Sequence, residues 1–404
     1  MAPQSRARAA LAIAAGVLLA GVAGGIAFPI LPIVGVQSGL ALPFIGVILA
    51  ANRAMRVVSS PIVGVISDRY GGRRTLIVGL GFQILVMLLY TLGVTTRHAG
   101  AFFLAGRMLH GPGSACVFVA GQALALHAGG RTHGGRAAAS VRAAMSLGVP
   151  IGLVAGAVVS DRWGNVRTFE TALGGVVIAT IVAWWLVPDL RVEVPKLSGL
   201  GKTLEAFRDR RLLAIGAFNF AVAFSVQGMV LTTLSLVVRT QRLSLLGFGD
   251  VGSSGILMGV LVVTSALVMP LAGRLGDRGG LHVPIALGGL VALVPSFVII
   301  GFAPTKLGLL AGLAIMGLAA GVLGPSLLAM VGSSVDQQRR GVAVGVLQLC
   351  GDVGGTLGPL AGTALFTDGV RTLYIVTAVV VACFVPFGAR LLRTAVSVRP
   401  PETR

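Results

Sequence analysis

Asp352 is the single acid in the interior of any long apolar run of this 404-residue chain. Arg53 and Arg56 (with Asn52 beside them), Arg107 and His110, and Arg142 also stand inside such runs. A carboxyl group in apolar surroundings is tolerated while protonated and needs a cation nearby once ionised, so Asp352 has the chemistry of a proton-operated switch. Arginines in the same surroundings keep their charge and attract carboxylates, phosphates or backbone carbonyls. Arg56 follows Arg53 at i+3, which places both on about the same face of a helix, and Asn52 adds a neutral hydrogen-bonding group. His110 titrates near neutrality in water and is a second group able to carry a proton. Structural locks would use the same residues: arginines satisfying backbone carbonyls, His110 as a hydrogen-bonding group, Asp352 fixed to one arginine. Four arginines against one aspartate give an expected cavity of positive character. Its substrate would carry anionic or oxygen-rich groups, as a carboxylate-bearing metabolite, an antibiotic or a siderophore does.

The elements that hold these residues follow from composition. Of all residues 55% are hydrophobic and 11% charged, against roughly 25% charged in an ordinary soluble domain. Twelve apolar runs have the length of about twenty residues that a helix needs to cross a bilayer. They fall near 9–34, 42–66, 75–94, 100–126, 137–159, 169–187, 212–238, 252–273, 283–303, 308–330, 341–366 and 371–391. The first run follows Arg6 and Arg8 as a secretory signal would, but it continues to Val34, too long for a signal core. An all-α integral membrane protein of twelve transmembrane helices is the expected fold. Cys116, Cys350 and Cys383 fall inside runs, with no spacing for a metal or disulfide, and are expected to be small buried hydrophobes.

A repeated segment organises the twelve runs. Gly64-Val-Ile-Ser-Asp68-Arg69-Tyr-Gly71-Gly72-Arg73-Arg74 lies in the polar break after the second run, and Gly273-Arg-Leu-Gly-Asp277-Arg278-Gly-Gly in the break after the eighth, 209 positions later. Pro61 and Pro270 precede the two copies at the same distance. The repeat divides the chain into two six-helix halves, 1–187 and 212–404, joined by a charged, Pro/Ser/Gly-interrupted linker at 188–211. It also makes Arg142 the symmetry-related counterpart of Asp352 and its expected cationic partner.

The net charge of +19 invites a nucleic-acid partner, and its distribution argues against one. With the N-terminus placed in the cytoplasm, 21 of the 32 Lys and Arg residues fall in cytoplasmic segments, seven in external loops and four inside the runs. That bias is an orientation signal: both termini are expected in the cytoplasm, with the basic loops against anionic lipid headgroups. Arginine outnumbers lysine 29 to three, with abundant Gly and Ala, which suggests a GC-rich bacterial genome and hence a bacterial inner membrane.

The repeat resembles the motif between helices 2 and 3 of the major facilitator superfamily, Gly-x-x-x-Asp-Arg-x-Gly-Arg-Arg, with its weaker echo between helices 8 and 9. Gly72 occupies the first basic place, so the Arg73–Arg74 pair falls one residue late. The resemblance implies a gating role for Gly64, Asp68, Arg69, Gly71, Arg73, Arg74, Gly273, Asp277 and Arg278. It also implies that spans three, six, nine and twelve, whose interiors carry no charge, are lipid-facing scaffold. Arg107-Met-Leu-His110-Gly111-Pro-Gly113-Ser-Ala is similar to the family's helix-4 motif Arg-x-x-Gln-Gly-x-Gly-Ala-Ala, which implies proton coupling at Arg107 and puts His110 where glutamine is usual. Gly148-Val-Pro150-Ile-Gly152 on span five and Gly358-Pro359 on span eleven resemble the Gly-Pro signature of drug–proton antiporters.

A proton-driven exporter of a small organic compound, acting as a monomer, is therefore the leading expectation. A proton-coupled importer or uniporter of an organic anion and a non-transporting membrane sensor are the alternatives. No phosphate-binding glycine loop points to ATP hydrolysis, and no Cys/His/carboxylate set or nucleophile elbow points to an enzyme, a metal or a cofactor.

Overall fold

The protein is described by a computed structural model covering residues 3–187, 208–279, 281–335 and 340–396. The side chains of 3–10, 68, 125–140, 142–143, 145–146, 278–279, 340–341, 387–388 and 391–396 lie outside that description. Every regular element among the described residues is helical: α1 Pro3–Gln37, α2 Leu42–Tyr70, α3 Gly72–Thr95, α4 Ala99–Leu186, α5 Arg210–Val222, a π-helical segment Ala223–Val230, α6 Leu231–Thr240, α7 Asp250–Gly279, α8 His282–Phe302, α9 Lys306–Ser334, α10 Arg340–Phe366 and α11 Val370–Val396. Eight stretches are long and apolar enough to cross a membrane on composition alone, Leu147–Leu186 at 40 residues being about twice what one crossing needs.

At 88 residues α4 is too long for one pass, about 130 Å at 1.5 Å per residue. Its contacts show how it is divided. Val17 lies against Gly121 and Gly24 against His110, so this part of α4 runs antiparallel to α1. Gly21 lies against Gly148 and Ile26 against Gly156, so the next part runs parallel to α1, and the chain has reversed between them. A third pass follows Gly164, whose φ of +85° is the left-handed backbone that glycine adopts without steric cost. Tyr90 near the end of α3 meets Phe169 at 5.3 Å, while Arg73 at the start of α3 stacks on Trp184 at 5.9 Å, so the third pass is antiparallel to α3. Three passes in α4, one in the α5–π–α6 series and one in each other helix make the expected twelve.

Contacts group the chain into two units, 1–197 with 231–259, and 198–230 with 260–404. In the first, α1 is the buried centre. A Cβ on Gly21 would lie 3.1 Å from the Gly148 Cα, so α1 and the second pass of α4 touch backbone to backbone. Such contacts gain van der Waals energy where lipid supplies no hydrophobic drive between helices. The first unit also holds a long-range helix cap. Asp161 accepts hydrogen bonds from the backbone N–H groups of Gly249 at 2.9 Å and Gly252 at 3.4 Å, so a residue of α4 satisfies the opening turn of α7. In the second unit Gly228 of the π segment packs on Gly358 of α10, and Gly354 on the backbone of Phe220. Asn219 ties the two helices by donating to the Leu347 carbonyl at 2.7 Å.

The outer surface is apolar. Leu85, Leu88 and Leu92 of α3 are exposed, as are Trp163, Trp184 and Trp185 near the ends of the α4 passes, where indoles suit a membrane interface. Of the cysteines, Cys116 is buried, Cys350 half-buried and Cys383 exposed. The expectation that all three are buried fails at Cys383, because an apolar face turned to lipid needs no protein cover.

Candidate functional site

Six polar residues of the first unit converge on one cavity of about 80 Å³: Asn52, Arg53 and Arg56 of α2, Gln83 of α3, and His110 and Ser114 of α4. Phe28, with small residues of α1, completes the wall. The helices approach closely enough to do this because their contact points are glycines. A Cβ on Gly111 would stand 2.6 Å from the Asn52 carbonyl oxygen and 2.9 Å from the Arg56 nitrogen, so Gly111 lets α2 rest directly on α4. Gly24 does the same for one side chain: its Cβ would lie 2.8 Å from His110 Cε1 and 2.9 Å from Nε2. The imidazole that replaces the usual glutamine thus occupies space left by a missing methyl group on α1.

Among the described residues lining the cavity there is no carboxylate. Arg56 sits 5.8 Å from the Phe118 ring centroid. Arg107, one turn from His110 and fully buried, stacks 5.0 Å over the Phe28 ring and donates weakly to the Leu49 carbonyl at 3.5 Å. Its Nε and Nη1 have no hydrogen-bond partner. A guanidinium in that position is costly unless an anion or a strong acceptor meets it. Asn52 Oδ1, both amide atoms of Gln83 and both ring nitrogens of His110 are also buried without partners.

Asp352 belongs to the second unit, on α10, and is 3% exposed. Gln348 donates to its Oδ1 at 3.4 Å, and the Thr356 hydroxyl donates to its backbone carbonyl at 2.7 Å. The side chain of Arg142, the expected counter-charge, lies outside the described residues.

The two glycine-framed turns differ. Gly71, with φ of +92°, is the only residue between α2 and α3. Gly72, the departure from the family pattern, packs against Leu124, where a Cβ would come within 2.9 Å of Cγ. A longer residue there would push α3 off α4. Arg73 donates to the Trp184 carbonyl and stacks on its ring, so it secures the start of α3 to the last turn of α4, where a cation also suits the helix dipole. Arg69 stacks on Tyr70 at 5.5 Å and Arg74 is exposed. The side chains of Asp68 and Arg278 are outside the described residues. Asp277 pairs with His282 Nε2 at 3.4 Å, and Gly276 makes room for that imidazole.

Asn52, Arg53 and Arg56 of the expected substrate set line the cavity together with His110 of the expected proton-coupling set, with Arg107 one turn away. The structure adds Gln83, Ser114 and Phe28. Gln83 corrects the assignment of the third span as plain scaffold: one face of α3 carries exposed leucines, and Gln83 on its buried face is among the residues lining the cavity. A lone amide in an otherwise apolar run was the available signal.

Membrane-crossing helices, a duplicated glycine-framed turn and a polar cavity within the first unit define a secondary transporter rather than an enzyme. The Major Facilitator Superfamily model matches residues 13–262 and 246–404, and the chain belongs to that family. Multidrug resistance protein MdtG of Klebsiella pneumoniae (strain 342) is 26% identical over 91% of this chain and 89% of its own length. A major facilitator superfamily multidrug transporter, mfsC, of Aspergillus fumigatus is 36% identical over 32% of this chain, which spans only 25% of that protein. Among solved structures, a bacterial homologue of the human lysosomal transporter Spinster, in an inward-facing and unoccupied conformation, superposes with a TM-score of 0.78 at 13% identity, covering 98% of this chain and 99% of its own. The human organic anion transporter MFSD10 (TETRAN) superposes with a TM-score of 0.66 at 19% identity, covering 97% and 100%. These likenesses establish the fold.

Proposed function

We propose that the protein is a proton-driven exporter of a small organic compound that works by alternating access in a bacterial inner membrane, with both termini cytoplasmic. Residues 1–187 and 212–404 form its two moving halves, and 188–211 joins them. The cavity of the first unit carries this reading: Arg53, Arg56 and His110 line it, and no described acid does. Cations in such surroundings favour an anionic or oxygen-rich substrate, of which a metabolite, an antibiotic or a siderophore is an instance. The human transporter of similar fold is named for organic anions, and the relatives matched along most of the chain are named for multidrug resistance.

Coupling is assigned to Asp352, Arg107 and His110. Alternating access needs a group whose protonation changes the relative stability of the inward- and outward-facing states. Ionised Asp352 favours one of these states and protonated Asp352 the other, so that binding of a proton and of substrate alternate over the cycle, which is antiport. Arg142 is the assigned counter-charge of Asp352. The glycine-framed turns with Asp68 and Asp277 act as cytoplasmic gates. Accumulation of a radiolabelled organic anion in everted but not right-side-out vesicles, driven by a pH gradient, is the expected result. Accumulation only in right-side-out vesicles would make the protein an importer and overturn the direction.

A further inference from the structure

The cavity's wall offers more than positive charge. Asn52 Oδ1 and Gln83 Oε1 accept hydrogen bonds, Gln83 Nε2 donates, and the neutral imidazole of His110 presents one donor and one acceptor nitrogen. All five atoms are buried without partners, on residues that are 9% (Asn52), 0% (Gln83) and 5% (His110) exposed. Their residues sit on three different helices and are among those lining one cavity.

That inventory discriminates among ligands. A bare carboxylate only accepts, so it would leave Asn52 Oδ1, Gln83 Oε1 and one imidazole nitrogen buried and unpaired. An apolar cation would leave all five unpaired and find no acid among the described lining residues. A hydroxyl both donates and accepts. Two vicinal hydroxyls beside a carboxylate could pair with the amides and the imidazole while the carboxylate meets the positive side of the wall. The volume of about 80 Å³ suits a fragment of a few carbons, well below the 300 Å³ or more of drug-sized pockets.

We propose that Gln83, with His110 and Asn52, forms a specificity-determining subsite for the hydroxylated end of a hydroxy-carboxylic acid. The inference rests on the reading of this cavity as the substrate site, and it names the substrate class. Gln83 is the selective element because it supplies both an unpartnered donor and an unpartnered acceptor at any pH, whereas His110 does so only while neutral. Arg53 and Arg56 supply charge attraction common to any organic acid.

Size-matched probes test it. Glycerate and propionate both have three carbons and a carboxylate, and only glycerate has hydroxyls. Calorimetric titration of the purified full-length protein in detergent is expected to show glycerate binding roughly tenfold tighter than propionate, the scale of one to two net hydrogen bonds. Gln83→Leu is expected to remove that preference while propionate affinity stays within about twofold. If Gln83→Leu also loses propionate, Gln83→Met, closer in shape to glutamine, takes its place. Equal affinities for the two probes on the wild type, undetectable glycerate binding, or a glycerate preference that survives both substitutions would overturn the proposal. Failure of the export reading shows up elsewhere, as absent accumulation in everted vesicles by a protein that still prefers glycerate.

Discussion

Gly24→Ala tests how closely the cavity depends on its helix contacts. The added Cβ would sit 2.8 Å from His110 Cε1 and 2.9 Å from Nε2, whereas carbon atoms pack at about 3.5 Å or more. The imidazole must therefore move by about 0.7 Å. It lies on the cavity wall, so it can rotate into open space, and the stability cost should fall near the low end of overpacking penalties, about 1 kcal/mol. Function should suffer more, because a displacement of about 1 Å at a reacting or binding group can cost about a hundredfold in rate. Two assays separate the effects: thermal unfolding in detergent and initial export rates in everted vesicles. A small shift in Tm with at least tenfold slower export is expected. In a double-mutant cycle, Gly24→Ala should do little in a His110→Ala background, giving a coupling above about 0.5 kcal/mol. Equal losses in both backgrounds would refute the idea that Gly24 acts by seating His110.

Three further outcomes are expected. Asp161→Ala removes the side-chain cap from the first turn of α7 and should lower stability by about 1 kcal/mol, with faster hydrogen exchange at the Gly249 and Gly252 amides, while Asp161→Asn keeps most of the protection. Gly72→Ala forces α3 away from Leu124 and should destabilise by about 1–3 kcal/mol, an effect that a second change, Leu124→Ala, should relieve in unfolding measurements. Asp68→Asn should cut transport while leaving the protein at wild-type abundance in the membrane, as judged by membrane fractionation beside the transport assay.

Much of the fold was readable because a membrane imposes long apolar runs, and because the Asp68 and Asp277 segments repeat at one spacing. The charged part of the site was readable for a related reason: Arg53, Arg56, Arg107 and His110 stand out in apolar surroundings, and helical spacing places them at comparable depth. Gln83 was not found because it is uncharged, a lone amide among apolar residues; packing puts it on the buried face of α3 with Leu80 and Val86. Gly24 and Gly72 illustrate a second limit. A glycine in a glycine-rich chain does not show what it accommodates until that side chain, His110 for Gly24 or Leu124 for Gly72, is placed beside it. Asp161 carries no local signal of its cap, because the amides it accepts from lie 88 and 91 positions away.

Proton coupling through Asp352 is tested most directly by purified wild-type and Asp352→Asn protein in proteoliposomes, using the compound that everted vesicles accumulate. Asp352→Asn is expected to abolish export driven by a pH gradient yet still bind substrate, whereas Arg53→Ala is expected to lose binding as well. Undiminished gradient-driven export by Asp352→Asn would contradict this assignment and move the proton site to His110 and Arg107.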